Sequence, residues 1–499
     1  MNDNKLVMIN DSDNVGVALL DLKQGETIRI GQKPLTLYED IPFGHKAAIT
    51  AINKGGCIIK YGMPIGHATF NIKAGAHIHT HNLKTNLSRT IKYQYHRALK
   101  TDVPVKKQAQ YTFQGYVRTD GKVGIRNEVW IIPTVGCVNQ TAWRLERQAK
   151  ELFGDKVDDI HAYNHNMGCS QLTKDFERTQ RILSGIINHP NAGAVLVLSL
   201  GCENNNLEQF IPLLGNYSKN RIKFLVTQEV EDEYEEGIKL LKELVDYAST
   251  FEREEVPANK LVLGLKCGGS DAFSGITANA LVGRVNDKVT RFGGTTILTE
   301  VPEMFGAETL LMNRAVNEDT FNLIVNLINN FKKYFIKYNQ VIYENPSPGN
   351  KKGGISTLEE KSLGCVQKGG TAPVVGVLDY GEQVSSKGLN LLTGPGNDQV
   401  SCTNLVASGV QMILFTTGRG NPFGAPVPTV KIASNTKLWG LKRHWIDFNA
   451  GDLLHGKSLK RLEDDLLYYL LELASGKVKT QNEIYNYKDI SIFRDGVIL

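Results

Sequence analysis

The pattern of hydrophobic positions changes once along the chain, near Tyr111. In the N-terminal part, short apolar runs such as Val15–Leu20, Ala47–Ile52 and Cys57–Tyr61 are broken by glycine and proline, a pattern typical of short β-strands. A polar stretch rich in lysine and glutamine follows and predicts a linker. We therefore expect a small β-rich domain over residues 1–98 and a linker over residues 99–110.

From Tyr111 onward, strand-like apolar runs alternate with amphipathic helical segments. The predicted strands include Val129–Ile132, Ala194–Leu200, Arg221–Val226, Lys260–Leu265 and Thr295–Leu298. The predicted helices are Gln140–Leu152, Thr173–Asn188, Glu231–Tyr247, Thr277–Phe292 and Asn317–Tyr338. Such alternation implies βαβ units and mainly parallel sheets. We expect an α/β core in two parts, residues 111–255 and residues 256–499.

Composition and charge narrow the class of protein. The 499 residues include 57 Lys and Arg against 52 Asp and Glu, and the two signs are interspersed. The sequence shows no basic stripe of the kind that binds nucleic acid, and its apolar runs are too short to cross a membrane. The first residues lack the long apolar core of a secretory signal. Seven cysteines, an odd number scattered along the chain, indicate reduced thiols and a cytoplasmic protein.

Four cysteines share one context, because each adjoins a glycine and lies at the end of a predicted strand or in a loop nearby. They are Cys137, Cys169, Cys202 and Cys267. Ligands of open α/β sheets bind beyond the carboxyl ends of the strands, so these thiols are candidates for one metal shell that favours iron or zinc. The alternative is that they are small core residues, which is our interpretation of Cys57, Cys365 and Cys402.

Three histidines alternate in the segment His77-Ile-His79-Thr-His81. On a strand, alternate side chains share one face, so the three imidazoles are expected to point the same way. Imidazole is both a common metal ligand and a proton carrier near neutral pH. His45 and His67 belong to the same predicted domain, and either could join the site or simply pack.

Glycine-rich polar loops are candidates for binding an anion. The loop that begins at Cys267 leads into a predicted helix, and a helix N-terminus with nearby hydroxyls favours a carboxylate. Its candidate binding residues are Ser270, Ser274, Thr277 and Asn279. Arg419, Arg118 and Arg126 could each clamp a carboxylate, although any one of them alone is more often part of a surface salt bridge. The loops match neither of the common nucleotide-binding motifs.

These groups together favour chemistry next to a carboxylate. A metal can neutralise the charge that develops when the α-proton is removed, while a base takes that proton and an acid helps a hydroxide to leave. Glu203 and Asp271 are the acidic partners that could orient an imidazole or bind the metal. The residues thus indicate a lyase without naming its substrate.

Several longer strings resemble the altronate/galactarate dehydratase family over essentially the whole chain. They are Gly201–Asn204, Cys267–Asp271, Ser274–Asn279, Val301–Glu308, Asn345–Asn350 and Thr417–Gly420. The run from His77 to Asn82 resembles the altronate branch of the family. The resemblance implies an N-terminal SAF (β-clip) domain, dehydration of D-altronate to 2-dehydro-3-deoxy-D-gluconate in hexuronate catabolism, and a divalent metal, Fe²⁺ or alternatively Mn²⁺.

The chemistry of the candidate residues and the family resemblance together give a hypothesis for the site. The C2 proton goes to His165 or His45, the C3 hydroxyl leaves with a proton from His79 or His81, and the four strand-end cysteines hold the metal. The alternatives are another sugar acid such as galactarate as the substrate, or a sugar-acid-binding protein without catalysis. We expect a small-molecule substrate, no nucleic-acid or membrane partner, and a homodimer, because symmetric dimers are the commonest oligomers.

Overall fold

The computed structural model of the chain describes residues 5–31, 33–88, 90–98 and 111–498. The predicted linker, residues 99–110, lies outside the described residues. The described chain forms a β-rich N-terminal domain followed by an α/β core, as the sequence predicts. We divide the core into a second domain and a third domain, each built around its own parallel sheet.

The N-terminal domain consists of short antiparallel strands joined by tight turns. Its strands are β1 (Leu6–Val7), β2 (Val15–Ala18), β3 (Thr27–Ile30), β4 (Lys33–Thr36), β5 (Lys46–Ala48), β6 (Cys57–Lys60), β7 (Met63–Ala68), β8 (His77–Ile78) and β9 (Leu83–Lys84). They form sheets in the orders β1-β2-β5-β8, β6-β7-β9 and β3-β4. The pairing of β5 with β8 places the histidine run beside the strand that follows His45.

The second domain has a parallel sheet covered by helices. Its elements are β10 (Thr112–Val117), β11 (Val123–Gly124), β12 (Glu128–Pro133), α1 (Asn139–Phe153), β13 (Asp159–Ala162), α2 (Thr173–Ile187), β14 (Ala192–Ser199), α3 (Leu207–Phe210), β15 (Ile222–Val226), α4 (Glu233–Ala248) and β16 (Glu254–Pro257). The parallel sheet has the order β13-β12-β14-β15, and β10 pairs with β11 and β16 in a small antiparallel sheet. All residues of β12 and β14 are buried because helices or the third domain cover both faces.

The third domain has a parallel sheet in the order β19-β20-β18-β17-β21-β22-β23. Its strands are β17 (Val262–Cys267), β18 (Thr295–Leu298), β19 (Val374–Leu378), β20 (Gly388–Leu392), β21 (Met412–Thr417), β22 (Thr429–Ala433) and β23 (Phe448–Asn449). Its helices are α5 (Ala278–Arg291), α6 (Glu308–Met312), α7 (Glu318–Lys337), α8 (Pro348–Lys352), α9 (Leu358–Cys365), α10 (Asp398–Ala407), α11 (Thr436–Leu441), α12 (Leu459–Ala474) and α13 (Gln481–Ile484).

The second and third domains share a hydrophobic core through α2 and α10. Ile182 of α2 and Leu405 of α10 belong to one buried cluster with Trp130 of the second-domain sheet. A Cβ at Gly185 would lie 2.4 Å from the carbonyl oxygen of Ala407, so the two helices approach as closely as they do only because residue 185 is glycine.

A buried ion triad fixes the N-terminal domain to the third domain. Lys46 of β5 and Lys60 of β6 contact the carboxylate of Glu360 at 2.9 and 2.7 Å, and all three side chains are at most 1% exposed. The Lys46 ammonium also donates to the carbonyl oxygen of Gly354 at 2.7 Å. The β-rich domain therefore binds to the third domain at the first turn of α9.

Among the described residues, we find no helix long and apolar enough to cross a membrane.

Candidate active site and metal-binding groups

Four imidazoles gather where the N-terminal domain meets α8 of the third domain. His45 Nδ1 lies 3.0 Å from His77 Nε2, and the His45 and His79 rings stack with centroids 4.9 Å apart. His81 lies against His77 with a centroid distance of 5.3 Å. His79 Nε2 is 2.9 Å from the carbonyl oxygen of Lys351 at the end of α8. The sequence correctly predicts that His77, His79 and His81 lie close together, and His45 joins them.

The reason for their convergence differs from the predicted one. Only His77 and Ile78 form a strand, and the segment turns at His79. The turn is held by Asn82, whose Oδ1 accepts from the amide of His79 and whose Nδ2 donates to the carbonyl oxygen of His77. Strand alternation is therefore the wrong geometry for His79 and His81. His67 lies elsewhere in the domain, where it contacts Asn86 at 2.7 Å.

The electrostatic surroundings keep the imidazoles of His45, His77 and His79 neutral at physiological pH. Burial lowers the pKa of His77 to about 3, with further lowering by the neighbouring imidazoles. Burial and the nearby Lys46 ammonium lower the pKa of His79 to about 4. The pKa of His45 is lowered too, chiefly by burial. Neutral imidazoles keep a nitrogen lone pair, which metal binding and proton abstraction both require.

One carboxylate completes a group that could hold a metal ion and that the sequence did not indicate. Glu39, His77 and His81 each offer a ligand atom, and the three atoms lie within 4.8 Å of one another. Glu39 also accepts from the amide of His77 at 3.0 Å. Two imidazoles and one carboxylate form a donor set that suits Fe²⁺. Glu39 is far from the histidines in sequence, so no spacing motif could have revealed it.

A positively charged cleft of about 240 Å³ opens beside this cluster. It is lined by Gly44, next to His45, and by three basic side chains, Lys352, Arg419 and Lys437. The acidic side chain in its lining, Asp271, accepts hydrogen bonds from Ser274, Ser434 and Asn435 and is buried. The cleft can therefore attract a carboxylate, as predicted for Arg419. Lys352 and Lys437 were missed because isolated lysines carry no motif.

Three of the four predicted anion-binding residues after β17, Ser274, Thr277 and Asn279, make structural hydrogen bonds instead. Thr277 Oγ1 donates to the carbonyl oxygen of Ser434, and Asn279 bonds Gly364 and Thr416. The Ser274 hydroxyl is bonded to Asp271. Asp271 is likewise engaged and does not orient an imidazole, which corrects that expectation. Ser270 is buried and its hydroxyl has no partner among the described residues.

A second possible metal-binding group lies inside the third domain. The thiols of Cys267 and Cys365 are 3.4 Å apart and lie 3.1 and 3.0 Å from Glu303 Oε2. The sequence predicts a packing role for Cys365, and its contact with Cys267 corrects that prediction. The group borders a pocket of about 450 Å³ that is also lined by Lys361. The Glu303 carboxylate is already paired with the Lys361 ammonium at 2.7 Å. Its charge is therefore balanced without a metal ion.

Two predicted catalytic residues are fully occupied by structural contacts. His165 is buried, with Nε2 2.8 Å from the carbonyl oxygen of Pro133 and Nδ1 accepting from the amide of Met167. The Glu203 carboxylate accepts from Thr134 and Ser199 at 2.6 Å each and from two backbone amides. The expected roles of His165 as base and of Glu203 as partner of an imidazole are therefore wrong.

Two of the three predicted arginine clamps are structural as well. Arg118 donates to the carbonyl oxygens of Pro190 and Arg126 and to Asn127. Arg126 pairs with Glu483 at 2.6 Å and donates to the carbonyl oxygen of Leu473. Both guanidinium groups are buried in the protein, which leaves Arg419 as the exposed arginine of the three.

The four predicted thiol ligands do not share one site. Cys267 lies at the end of β17 in the third-domain sheet, whereas Cys137, Cys169 and Cys202 follow strands of the second-domain sheet. Cys267 is buried and the other three are exposed. The strand-end placement was correct, but the thiols belong to two different sheets.

Comparison with known proteins identifies relatives along the whole chain. Residues 4–86 match the altronate/galactarate dehydratase SAF domain, residues 115–249 match the second domain of D-galactarate dehydratase/altronate hydrolase, and residues 258–498 match the C-terminal domain of D-galactarate/altronate dehydratase. The chain is 50% identical to an altronate dehydratase of Bacillus subtilis (strain 168) and 48% identical to one of Escherichia coli (strain K12), each over 99% of both chains. It is 33% identical to a galactarate dehydratase (L-threo-forming) of Escherichia coli (strain K12), over 98% of this chain and 96% of the relative.

The β-rich domain, the two parallel sheets and these matches define the class of sugar-acid dehydratases. The chain belongs to the D-galactarate/altronate dehydratase family.

Proposed function

We propose that this protein is a hydro-lyase that dehydrates D-altronate to 2-dehydro-3-deoxy-D-gluconate in hexuronate catabolism, and that it requires a divalent metal. The observation that carries the proposal is the identity of 50% and 48% to two altronate dehydratases over 99% of both chains, against 33% to a galactarate dehydratase. The reaction breaks the C2–H and C3–O bonds of altronate and releases water. The resulting enol ketonises to the 2-keto acid.

The donor set supports a metal in the N-terminal domain. Glu39, His77 and His81 supply one carboxylate and two imidazoles, a set that suits Fe²⁺ and offers Mn²⁺ the oxygen ligand it prefers. When bound, the metal would supply Lewis-acid stabilisation of charge on the substrate oxygens. The neutral state of the His77 imidazole favours binding because no proton has to be displaced.

The cleft beside the cluster supports binding of the sugar-acid carboxylate. Arg419 can form two parallel hydrogen bonds to a carboxylate, and Lys352 and Lys437 add positive charge. Gly44 leaves room at the edge of this cleft, next to His45. We assign the carboxylate end of altronate to the cleft and its C2 and C3 atoms to the imidazole cluster.

His45 and His79 are the proposed acid–base pair. His77 Nε2 lies 3.0 Å from His45 Nδ1, and with His77 as the donor of this pair the proton of His45 would be on Nε2. Among the described residues, that proton would face only the Lys352 carbonyl oxygen at 3.4 Å, which leaves it available to the departing C3 hydroxyl. His79 donates through Nε2 to the Lys351 carbonyl oxygen, which leaves its Nδ1 lone pair, contacted by the Thr80 hydroxyl, to take the C2 proton.

The test is formation of 2-keto-3-deoxy acid by purified protein from a panel of sugar acids, with Fe²⁺ or Mn²⁺ under anaerobic conditions. Turnover of D-altronate well above galactarate supports the proposal. Preference for galactarate would assign the protein to the other branch of the family. Binding of sugar acids without turnover on any member of the panel would favour a non-catalytic role.

We further propose that the protein acts in the cytoplasm as a homodimer and without nucleic acid. The free thiols of all seven cysteines and the balanced, interspersed charge support this setting. The mass in solution, measured by light scattering, tests the dimer.

A further inference from the structure

Three exposed cysteines lie at one edge of the second-domain sheet. Strands β13, β12 and β14 are adjacent and parallel, so their carboxyl ends lie at the same edge. Cys137 follows β12, Cys169 follows β13 and Cys202 follows β14. All three thiols are exposed. They belong neither to the imidazole cluster nor to the Cys267 group.

The three loops that carry these cysteines are bonded to one another in a triangle. The amide of Gly136 donates to the carbonyl oxygen of Met167 at 2.7 Å, which joins the first loop to the second. The amide of Asn204 donates to the carbonyl oxygen of Cys169 at 2.9 Å, which joins the second to the third. Asn205 Nδ2 donates to the carbonyl oxygen of Thr134 at 3.2 Å and closes the triangle. The loops thus form a braced rim and not three independent turns.

Buried amide oxygens without partners are concentrated in the same loops and at the first residue of α1. Asn139, Asn164, Asn204 and Asn205 each have a buried Oδ1 that accepts no hydrogen bond from the described residues. The side chains of Asn139, Asn204 and Asn205 each donate through Nδ2 to a backbone carbonyl oxygen of a neighbouring loop. The Oδ1 atom of each amide therefore points away from that carbonyl oxygen. Asn205 is 0% exposed. An unpaired buried acceptor costs about 1–3 kcal/mol, so several of them in one place indicate a ligand that brings hydrogen-bond donors.

The three thiols do not form a compact ligand group of the kind that holds a single metal ion. Among the described residues, ligand atoms within 4.8 Å of one another occur in the Glu39 and Cys267 groups and do not include these three cysteines. A single ion holds its ligands close together. An iron–sulfur cluster holds them farther apart because each thiolate binds a different iron.

We propose that Cys137, Cys169 and Cys202 bind a 4Fe–4S cluster, with the fourth iron left for a non-protein ligand. The cluster sits on the braced rim at the carboxyl ends of the strands. A water molecule on the fourth iron has two O–H groups and could donate to two of the amide oxygens of Asn139, Asn164, Asn204 and Asn205. The site is separate from the metal of the proposed function and does not depend on altronate being the substrate.

The experiment is anaerobic purification of the full chain, followed by reconstitution with iron and sulfide and removal of unbound metal. Iron and acid-labile sulfide are measured per chain, together with visible charge-transfer absorption. The expected result is about four sulfide and four cluster iron per chain, with one further iron where the Glu39 group of the proposed function is also filled. Each of Cys137→Ser, Cys169→Ser and Cys202→Ser loses most of the sulfide. Cys57→Ser, which changes an exposed thiol of the N-terminal domain, is the matched control and retains it.

Several outcomes overturn the proposal. Wild-type protein that takes up iron without sulfide has a mononuclear site only. Equal sulfide content in wild type and the triple serine variant means that the cluster, if any, is elsewhere. Because the thiols are exposed, the serine variants should unfold at the same temperature as wild type; should they not fold, the wild-type sulfide content alone decides.

The same preparations separate this inference from the proposed function. Protein with a full cluster but no activity on altronate leaves the cluster standing and refutes the substrate. Undiminished altronate turnover by wild-type protein that never contains sulfide refutes the cluster and leaves the proposed function standing.

Discussion

At the scale of single residues, structural side chains differ from candidate site residues in how many of their polar atoms are already hydrogen-bonded within the protein. Both ring nitrogens of His165 contact backbone, and the Glu203 carboxylate accepts four hydrogen bonds. The exposed Arg419 instead lines an open cleft. The sequence shows the type of each residue but not its hydrogen-bond partners. It could therefore propose His165, Glu203 and Arg419 as site residues, but it could not tell which of them has a structural role.

The metal group gives the first prediction. Glu39→Gln and His81→Ala each remove one donor, and we expect metal affinity to fall at least tenfold, with dehydration falling in parallel. Metal content after dialysis and the rate at saturating Fe²⁺ check this. His67→Ala, in the same domain but bonded to Asn86, should retain both properties. Full metal content in the two donor variants would contradict the assignment.

Arg419 carries the second prediction. Arg419→Ala should raise KM for altronate by about tenfold to a hundredfold, because a charge-assisted hydrogen bond contributes about 1.5–3 kcal/mol. Steady-state kinetics measures the effect, and kcat should change less. The control is Arg443→Ala, which removes an exposed arginine stacked on Trp439. An unchanged KM in Arg419→Ala would move the carboxylate out of the cleft.

At the scale of helices and strands, the sequence predicted most of the core well. The predicted helix Thr277–Phe292 is α5, Ala278–Arg291, and the predicted strand Thr295–Leu298 has the same bounds in the structure. Amphipathic helices and buried parallel strands have strong periods, so local pattern suffices for them. The segment after His77 was misjudged because a side-chain contact of Asn82, and not hydrophobic period, sets its turn.

The contact of α2 with α10 gives the third prediction. Gly185→Ala should destabilise the protein by about 1–3 kcal/mol, because its Cβ would overlap the carbonyl oxygen of Ala407 and the helices would have to separate. Chemical denaturation measures the free energy of unfolding. Gly440→Ala is the matched control, since an added Cβ there meets nothing within 4 Å. Equal stability of the two variants would show that the helices can separate without cost.

At the scale of the whole molecule, the candidate site depends on the docking of two domains. The N-terminal domain supplies the imidazoles, and α8 and the Arg419 loop supply the carbonyls and basic side chains. Sequence alone could place both sets on their own domains. It could not reveal that Lys46, Lys60 and Glu360 join them, because the contact spans about three hundred residues of chain.

The docking triad gives the fourth prediction. Burial opposes the charge on Glu360, but Lys46 and Lys60 outweigh it and lower the pKa of the carboxyl from 4.5 to about 2. A lowered carboxyl pKa stabilises the fold above the unfolded pKa, so about 3 kcal/mol is present above about pH 4.5 and is lost as the pH falls toward 2. Unfolding free energies measured between pH 7 and pH 2 should show this loss.

Substitution isolates the contribution of the triad. Glu360→Gln leaves two buried ammonium groups without their carboxylate and should cost about 3–5 kcal/mol at pH 7, with a flatter dependence on acid pH. Glu243→Gln, which breaks an exposed pair with Lys223, should change little. A Glu360→Gln variant as acid-sensitive as wild type would assign the acid response to other groups.

The docking triad also bears on how this architecture can be rearranged. Lys46, Lys60 and Glu360 recognise each other through space and do not require that the β-rich domain and the core belong to one polypeptide. The same contacts would serve two separately encoded chains equally well, with the histidines on a small subunit and the basic cleft on a large one. Fusion or fission of genes at the domain boundary would then leave the chemistry of the site unaltered.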